Sequence, residues 1–150
     1  RITLSESREQ ALNIVQGLIA DYMREEITVE ELYYDTPSYT GFTLPLDKFF
    51  PAWFVEESHP FVQAGQRTIK DIWGVNRPTG TWDFSTNGTY WAGKANIPAI
   101  GFGPGNEIDA HTIGEHVALQ DVVDATAFYA LLPRNLTDII DYYRQFVGLK

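Results

Sequence analysis

One stretch constrains this chain more than any other: Gly101-Phe102-Gly103-Pro104-Gly105, approached through Ile97-Pro98-Ala99-Ile100 and followed by Ala110-His111-Thr112 and Glu115. The short apolar run reads as a buried strand that points at a glycine-rich turn. Glycines there let backbone approach a ligand closely. The turn delivers a histidine and, shortly after it, an acid. A phosphate cradle is one chemistry for a G-x-G after a strand. It is disfavoured here: the third glycine of the dinucleotide pattern is missing, no helix clearly starts at the loop, and Glu107 and Asp109 repel an anion. A metal site fits better, with His111 as an imidazole ligand and Glu115 orienting it. The alternative is an ordinary loop histidine, and the residues alone leave both open.

Whole-chain properties narrow the classes. The length of 150 residues suits one domain with a real core. A net charge of −9 argues against nucleic acid as a partner. Cysteine is absent, which removes disulfides, thiolate metal sites and cysteine nucleophiles. No apolar run is long enough to span a membrane. The chain opens at Arg1-Ile2-Thr3-Leu4, which reads as the end of a strand with no signal peptide, so a cytoplasmic location is expected. With four Trp and eight Tyr, an aromatic carbohydrate platform is a further reading. Most of those rings fall on helix core faces or beside turns, which disfavours it.

Along the chain, Ser7 to Tyr22 predicts an amphipathic helix, with Ser7 and Gln10 as a capping box and Ala11, Ile14, Val15, Leu18 and Tyr22 on one face. Glu26 to Tyr34 alternates as a strand. Thr36 to Phe50 reads as a linker punctuated by Pro37, Gly41 and Pro45. A helix is expected over Phe61–Trp73, with Ser58 or His59 as N-cap and Gly74 closing it. Its buried stripe would be Val62, Gly65, Ile69, Ile72 and Trp73. Thr79–Phe84 predicts a strand running into the polar turn Ser85-Thr86-Asn87-Gly88, and a helix follows through Tyr90, Trp91 and Lys94. Such a turn caps a helix or holds an anionic group. Leu119–Leu132 predicts a helix that Pro133 stops, with Leu119, Val122, Val123, Ala127, Phe128, Leu131 and Leu132 on its apolar face. Residues 135–147 predict a last helix. The alternation from Val55 onward implies α/β layering around a mostly parallel sheet, with ligands at its carboxyl edge.

Gly101–Gly105 with Ala110-His111-Thr112 and Glu115 resembles the last metal-ligand segment of the dizinc peptidase and deacylase superfamily, which includes aminoacylase, carboxypeptidase G and succinyl-diaminopimelate desuccinylase. Trp82-Asp83-Phe84-Ser85-Thr86-Asn87-Gly88, Pro37-Ser38-Tyr39-Thr40-Gly41 and Phe50-Pro51-Ala52-Trp53 resemble the branch described as selenium-metabolism hydrolases, the YgeY type. The likeness runs from Arg1 to about Pro133. It implies an α/β fold: the C-terminal half of a three-layer, mostly parallel sheet domain plus a helix–strand remnant of the α+β lid that also carries the dimer contact. Residues 1–36 would be the second half of that lid, 37–58 the linker back, and 59–150 the C-terminal part of the catalytic domain.

The resemblance also implies a water activated by two divalent metals, zinc foremost, attacking an amide carbonyl of a small acyl-amino acid or peptide-like substrate, with a glutamate as general base. His111 would be a metal ligand and Glu115 its support. Ser85, Thr86, Asn87, Gly103, Pro104 and Gly105 would shape the substrate pocket. The chain contains no H-x-D ligand pair, and Glu56-Glu57 does not match the family's catalytic glutamates. The piece is therefore expected to be inactive alone, and to pair with a missing N-terminal half or with a second copy. The alternative is a non-catalytic binding or assembly module.

Overall fold

The structure is a computed structural model that describes Leu4, residues 6–82 and residues 84–146, with the backbone alone at 142, 143, 145 and 146. The expected strand end at Arg1–Thr3, Asp83 of the expected strand, and Val147 of the last helix lie outside the described residues. The chain divides into two compact units, Arg1–Phe54 with Thr89–Asn96, and Val55–Gly88 with Ile97–Lys150.

In the first unit, helix α1 spans Arg8–Gly17. Its capping box forms as the sequence predicts: Gln10 N–H donates to Ser7 Oγ at 3.1 Å, and Ser7 N–H donates to Gln10 Oε1 at 2.8 Å. Two end donors are thereby satisfied reciprocally. The helix stops at Gly17, short of the expected Tyr22, and a 3-10 turn follows at Asp21–Met23. Glycine is a poor helix former, no basic residue supports the last turn, and no α1 residue is buried, so nothing holds a further turn in place. Arg8 ties the unit together. Its guanidinium donates to both Glu31 carboxylate oxygens and, at 2.7 Å, to Asp47, and it lies over the Phe49 ring at 5.0 Å. These hydrogen bonds, Glu31's first, push the Arg8 pKa upward.

Strand β1, Tyr33–Tyr34, pairs antiparallel with β2, Leu46–Asp47, setting Tyr33 opposite Asp47 and Tyr34 opposite Leu46. Two expectations need correction. Only the end of the strand expected over 26–34 joins a ladder, and the segment expected to be pure linker supplies its partner. Lys48 N–H extends the pairing by donating to Leu32 O at 2.9 Å. A strand extends only as far as its partner does.

The second unit is organised by two helices. Helix α2 is Pro60–Trp73. His59 caps it, with Nδ1 accepting from Phe61 N–H at 3.2 Å, and Pro60 occupies the first turn, where its missing N–H costs nothing. Gly74 ends it in the left-handed conformation, φ 69°. Of the predicted stripe, Val62 and Gly65 are buried, joined by Ala64 and Thr68, while Ile69, Ile72 and Trp73 are half-buried.

The two helices expected at the C-terminus are one. Helix α4 runs Leu119–Phe146 with Pro133 inside it. It packs on α2 through Phe128 and Asn135, both buried, and Ala125 is buried as well. Leu119, Val122, Val123 and Ala127, expected in the core stripe, are exposed. The reason is angular: at about 100° per residue these four lie about 100° or more around the helix from Phe128, while Ala125 and Asn135 lie within about 60° of it. The small residues Ala64 and Gly65 open a shallow seat on α2, and a β-carbon at Gly65 would stand 3.2 Å from Ile100 Cδ1 and 3.9 Å from Phe128 Cζ. The α2 surface covers only the stripe of α4 that carries Phe128 and Asn135.

Between these helices, the expected strands at Thr79–Phe84 and Ile97–Ile100 are extended or irregular and join no ladder among the described residues. The two-stranded antiparallel pair is the one sheet among those residues, so the parallel three-layer sheet is not formed by them. Parallel strands need neighbours across the sheet, and neither segment has one here. Helix α3 covers Gly88–Trp91, shorter than expected. Lys94 and Ala95 N–H both return to Tyr90 O, and Asn96 turns the chain at φ 55°. No described helix is long and apolar enough to cross a membrane.

Candidate functional site

The glycine loop is anchored at its start. Phe102 stacks on Phe128 at 3.8 Å between ring centroids, and Phe128 is 1% exposed. Tyr129 Oη donates to Phe102 O. Trp73 stacks on Phe102 from α2 at 6.4 Å. The loop thus leaves a fixed point on the α2–α4 pair. Beyond it the chain opens. Gly103 faces empty space where a side chain would be, and Pro104 is exposed. Gly105 has φ 96°, a conformation that L side chains rarely adopt, and lies against Val117. Asn106 Oδ1 then caps a 3-10 turn, Glu107–Asp109, by accepting from Ile108 N–H at 3.2 Å.

His111 follows at φ 63°, in the left-handed region. Few non-glycine residues adopt this conformation, His, Asn and Asp more often than others, and local contacts hold it here. One support is Glu115, whose carboxylate accepts from the His111 backbone N–H at 3.2 Å. A second is the Thr112 hydroxyl, which donates to Asp109 O at 2.7 Å. The sequence reading paired His111 with Glu115, and the structure brings them together through the backbone amide. The imidazole meets a different residue, the Phe84 ring, in a T-shaped arrangement at 6.3 Å and 88°. Phe84 in turn stacks on Trp82 at 5.5 Å and 12°.

The polar turn after Phe84 begins beside that contact. Ser85 and Thr86 are half-buried, and Asn87 is exposed. Thr86 Oγ1 accepts from Gly88 N–H at 3.1 Å, so this hydroxyl serves its own turn as a cap. His116, downstream, meets Gly114 O through Nδ1 at 2.8 Å, a local contact. Residue-by-residue reading missed the Trp82–Phe84–His111 row. The signal available was the apolar, aromatic start of the Trp82–Gly88 stretch, which reads equally well as strand core.

Metal fit can be tested on the donors. Among the described residues, no group of three His, Asp or Glu side chains gathers to hold an ion. The Glu115 carboxylate is engaged by a backbone amide, and the imidazole contact that the structure records is an aromatic ring. Catalytic zinc takes about three protein ligands. The described residues do not by themselves make such a site.

No family profile matches the chain, and no solved structure does. The YgeY protein of Escherichia coli K12 is 38% identical over 133 residues, which is 89% of this chain and 33% of that protein. Its counterpart in Escherichia coli O157:H7 gives the same figures. The N-formyl-4-amino-5-aminomethyl-2-methylpyrimidine deformylase of Halalkalibacterium halodurans is 31% identical over 91 residues, 59% of this chain and 21% of that enzyme. The chain is similar to these proteins and spans about a third of the length of the YgeY proteins it matches.

Proposed function

We propose that this chain is the C-terminal part of a metal-dependent hydrolase that cleaves an amide bond. The observation that carries the reading is His111, held in a left-handed conformation at the end of a glycine loop whose start is fixed to the helix pair. Strain of that kind collects at functional positions. Likeness to a deformylase, an enzyme whose name gives an N-formyl amide as substrate, supports the reaction class.

On this reading His111 supplies one imidazole to a pair of divalent metals, zinc first among them, and Glu115 fixes the backbone that carries it. Ser85, Thr86 and Asn87 offer hydroxyls and an amide to the substrate, while Gly103, Pro104 and Gly105 let main chain approach it. The remaining ligands and the general base belong to sequence outside these residues, so this piece alone is inactive. Water and amide become acid and amine: the carbonyl carbon gains the water oxygen, the C–N bond breaks, and the amine leaves with a proton. The same reading makes residues 1–36 part of a lid, 37–58 a linker and 59–150 part of a three-layer catalytic domain in a cytoplasmic dimer.

The test compares the chain alone with the chain joined to the portion of Escherichia coli YgeY that lies outside the match. Formate release from N-formylbenzylamine and metal content are measured for both. The joined protein should hold metal and release formate, and His111→Ala should abolish release and lower metal content. A folded, joined protein with neither property sinks the reading.

A second reading, an assembly module without chemistry, is favoured by one observation. Helix α1 has no buried residue, and Ile14, Val15 and Leu18 are exposed, Leu18 at 81%. Apolar faces left open in this way mark contact surfaces. A strictly monomeric chain at all concentrations, by light scattering, would count against it.

A further inference from the structure

We propose that the ring row Trp82–Phe84–His111 is a stacking subsite for a flat aromatic or heteroaromatic group. Calling that group part of an amide substrate rests on the hydrolase reading above; the ring binding does not.

Two separate segments build the row. Trp82 and Phe84 stack at 5.5 Å, and Phe84 meets the His111 imidazole in a T-shaped arrangement at 6.3 Å. The benzo edge of Trp82 lies against Gly101, at a spot where any β-carbon would overlap it. Glycine at that position lets the indole lie down against the approach to the loop. The fold treats its core rings differently: Phe128 is stacked on Phe102 and almost wholly buried. Trp82 remains 42% exposed. An indole left open at the end of a row that leads through Phe84 to His111 presents aromatic surface that accepts planar groups with little regard to ring identity. The acidic residues Asp109 and Glu115 on the same loop, and the net charge of −9, favour a neutral or cationic ring over an anionic one.

The test uses two probes that share a formyl amide and differ in ring planarity, N-formylbenzylamine and N-formyl(cyclohexylmethyl)amine. Each is titrated into the ¹⁵N-labelled chain while the tryptophan indole N–H signals are followed. The Trp82 signal is identified by its loss in Trp82→Leu. The benzyl probe should shift that signal saturably and bind on the order of tenfold tighter than the cyclohexyl probe. Trp82→Leu should erase the preference and Trp82→Phe should retain most of it. Equal affinity of the two probes for the unmodified chain overturns the proposal, even if a variant fails to fold. A preference that survives Trp82→Leu, or the absence of any saturable shift, overturns it as well. Failure of formate release in the joined protein, with the ring preference intact, defeats the hydrolase reading alone.

Discussion

Trp82 occupies the space that a side chain on Gly101 would need, so the residue entering the glycine loop and the ring stacked on Phe84 are fixed by each other. Gly101→Ala must displace the indole. Overpacking of this kind typically costs about 1–3 kcal/mol. Urea unfolding should show that loss, and the Trp82 indole signal should move by more than those of the other tryptophans. An unmoved indole with unchanged stability would mean that the contact does not constrain the ring.

The left-handed backbone of His111 gives a second prediction. Left-handed φ costs a non-glycine residue about 1–2 kcal/mol, while glycine gives back about 0.4–1 kcal/mol through a freer unfolded chain. His111→Gly should therefore be more stable than His111→Ala by about 0.5–1 kcal/mol in thermal or urea unfolding. Both variants lose the imidazole, so any activity or metal binding should vanish in both. Equal stability of the two variants would remove the argument from strain.

What was legible in the sequence was local. Ser7 with Gln10, and His59 with Pro60 and Gly74, mark helix ends because the groups that satisfy the terminal amides lie within a turn of them. The contact of the Glu115 carboxylate with the His111 amide is equally local, four residues along the chain. The ladder of Tyr33–Tyr34 with Leu46–Asp47 was not, since strand periodicity says nothing about whether a partner exists or how long it is. The core stripe of α4 failed for a different reason. The seven residues span too wide an arc for one face: at about 100° per residue Leu119 lies about 180° from Phe128 and Val122 about 120° from it, so only the Phe128 side meets α2. Phe84 against His111 was hidden as the ladder was, because pairing between distant segments leaves no spacing to read.

Asn135 is the polar pin of the helix pair. It is 2% exposed, and its amide donates to Thr68 Oγ1 at 3.1 Å and to Asp71 Oδ2 at 3.0 Å. The Thr68 hydroxyl donates to Ala64 O at 2.7 Å, so Asn135 supplies a donor for that buried oxygen. Asn135→Ala should lower stability by about 1–3 kcal/mol with an unchanged denaturant slope. Arg67 offers the contrast. It reaches Asp71 and Asp138 at 3.7 Å, all three half-exposed. Such pairs contribute about 0–1 kcal/mol. Arg67→Ala should therefore cost clearly less than Asn135→Ala, and the reverse order would show that charge rather than the buried amide holds the helices together.

Pro133 supplies the last prediction. It was expected to end a helix and instead lies within α4. Proline cannot donate to the carbonyl of Tyr129 one turn earlier, and its ring crowds that carbonyl. Tyr129 is exposed, so water can take the freed oxygen, and the Thr137 hydroxyl donates to Pro133 O at 2.9 Å one turn later. The helix continues because packing on both sides of the proline, Phe128 before it and Asn135 after it, outweighs the local penalty. An interior proline costs about 3 kcal/mol relative to alanine, and alanine gives back up to about 1 kcal/mol in the unfolded chain. Pro133→Ala should thus stabilise the protein by about 2 kcal/mol. Urea unfolding should show a higher midpoint with an unchanged slope. If Pro133→Ala is destabilising, the proline bends α4 onto α2 in a way that a straight helix cannot reproduce, and the packing at Asn135 would be lost with it.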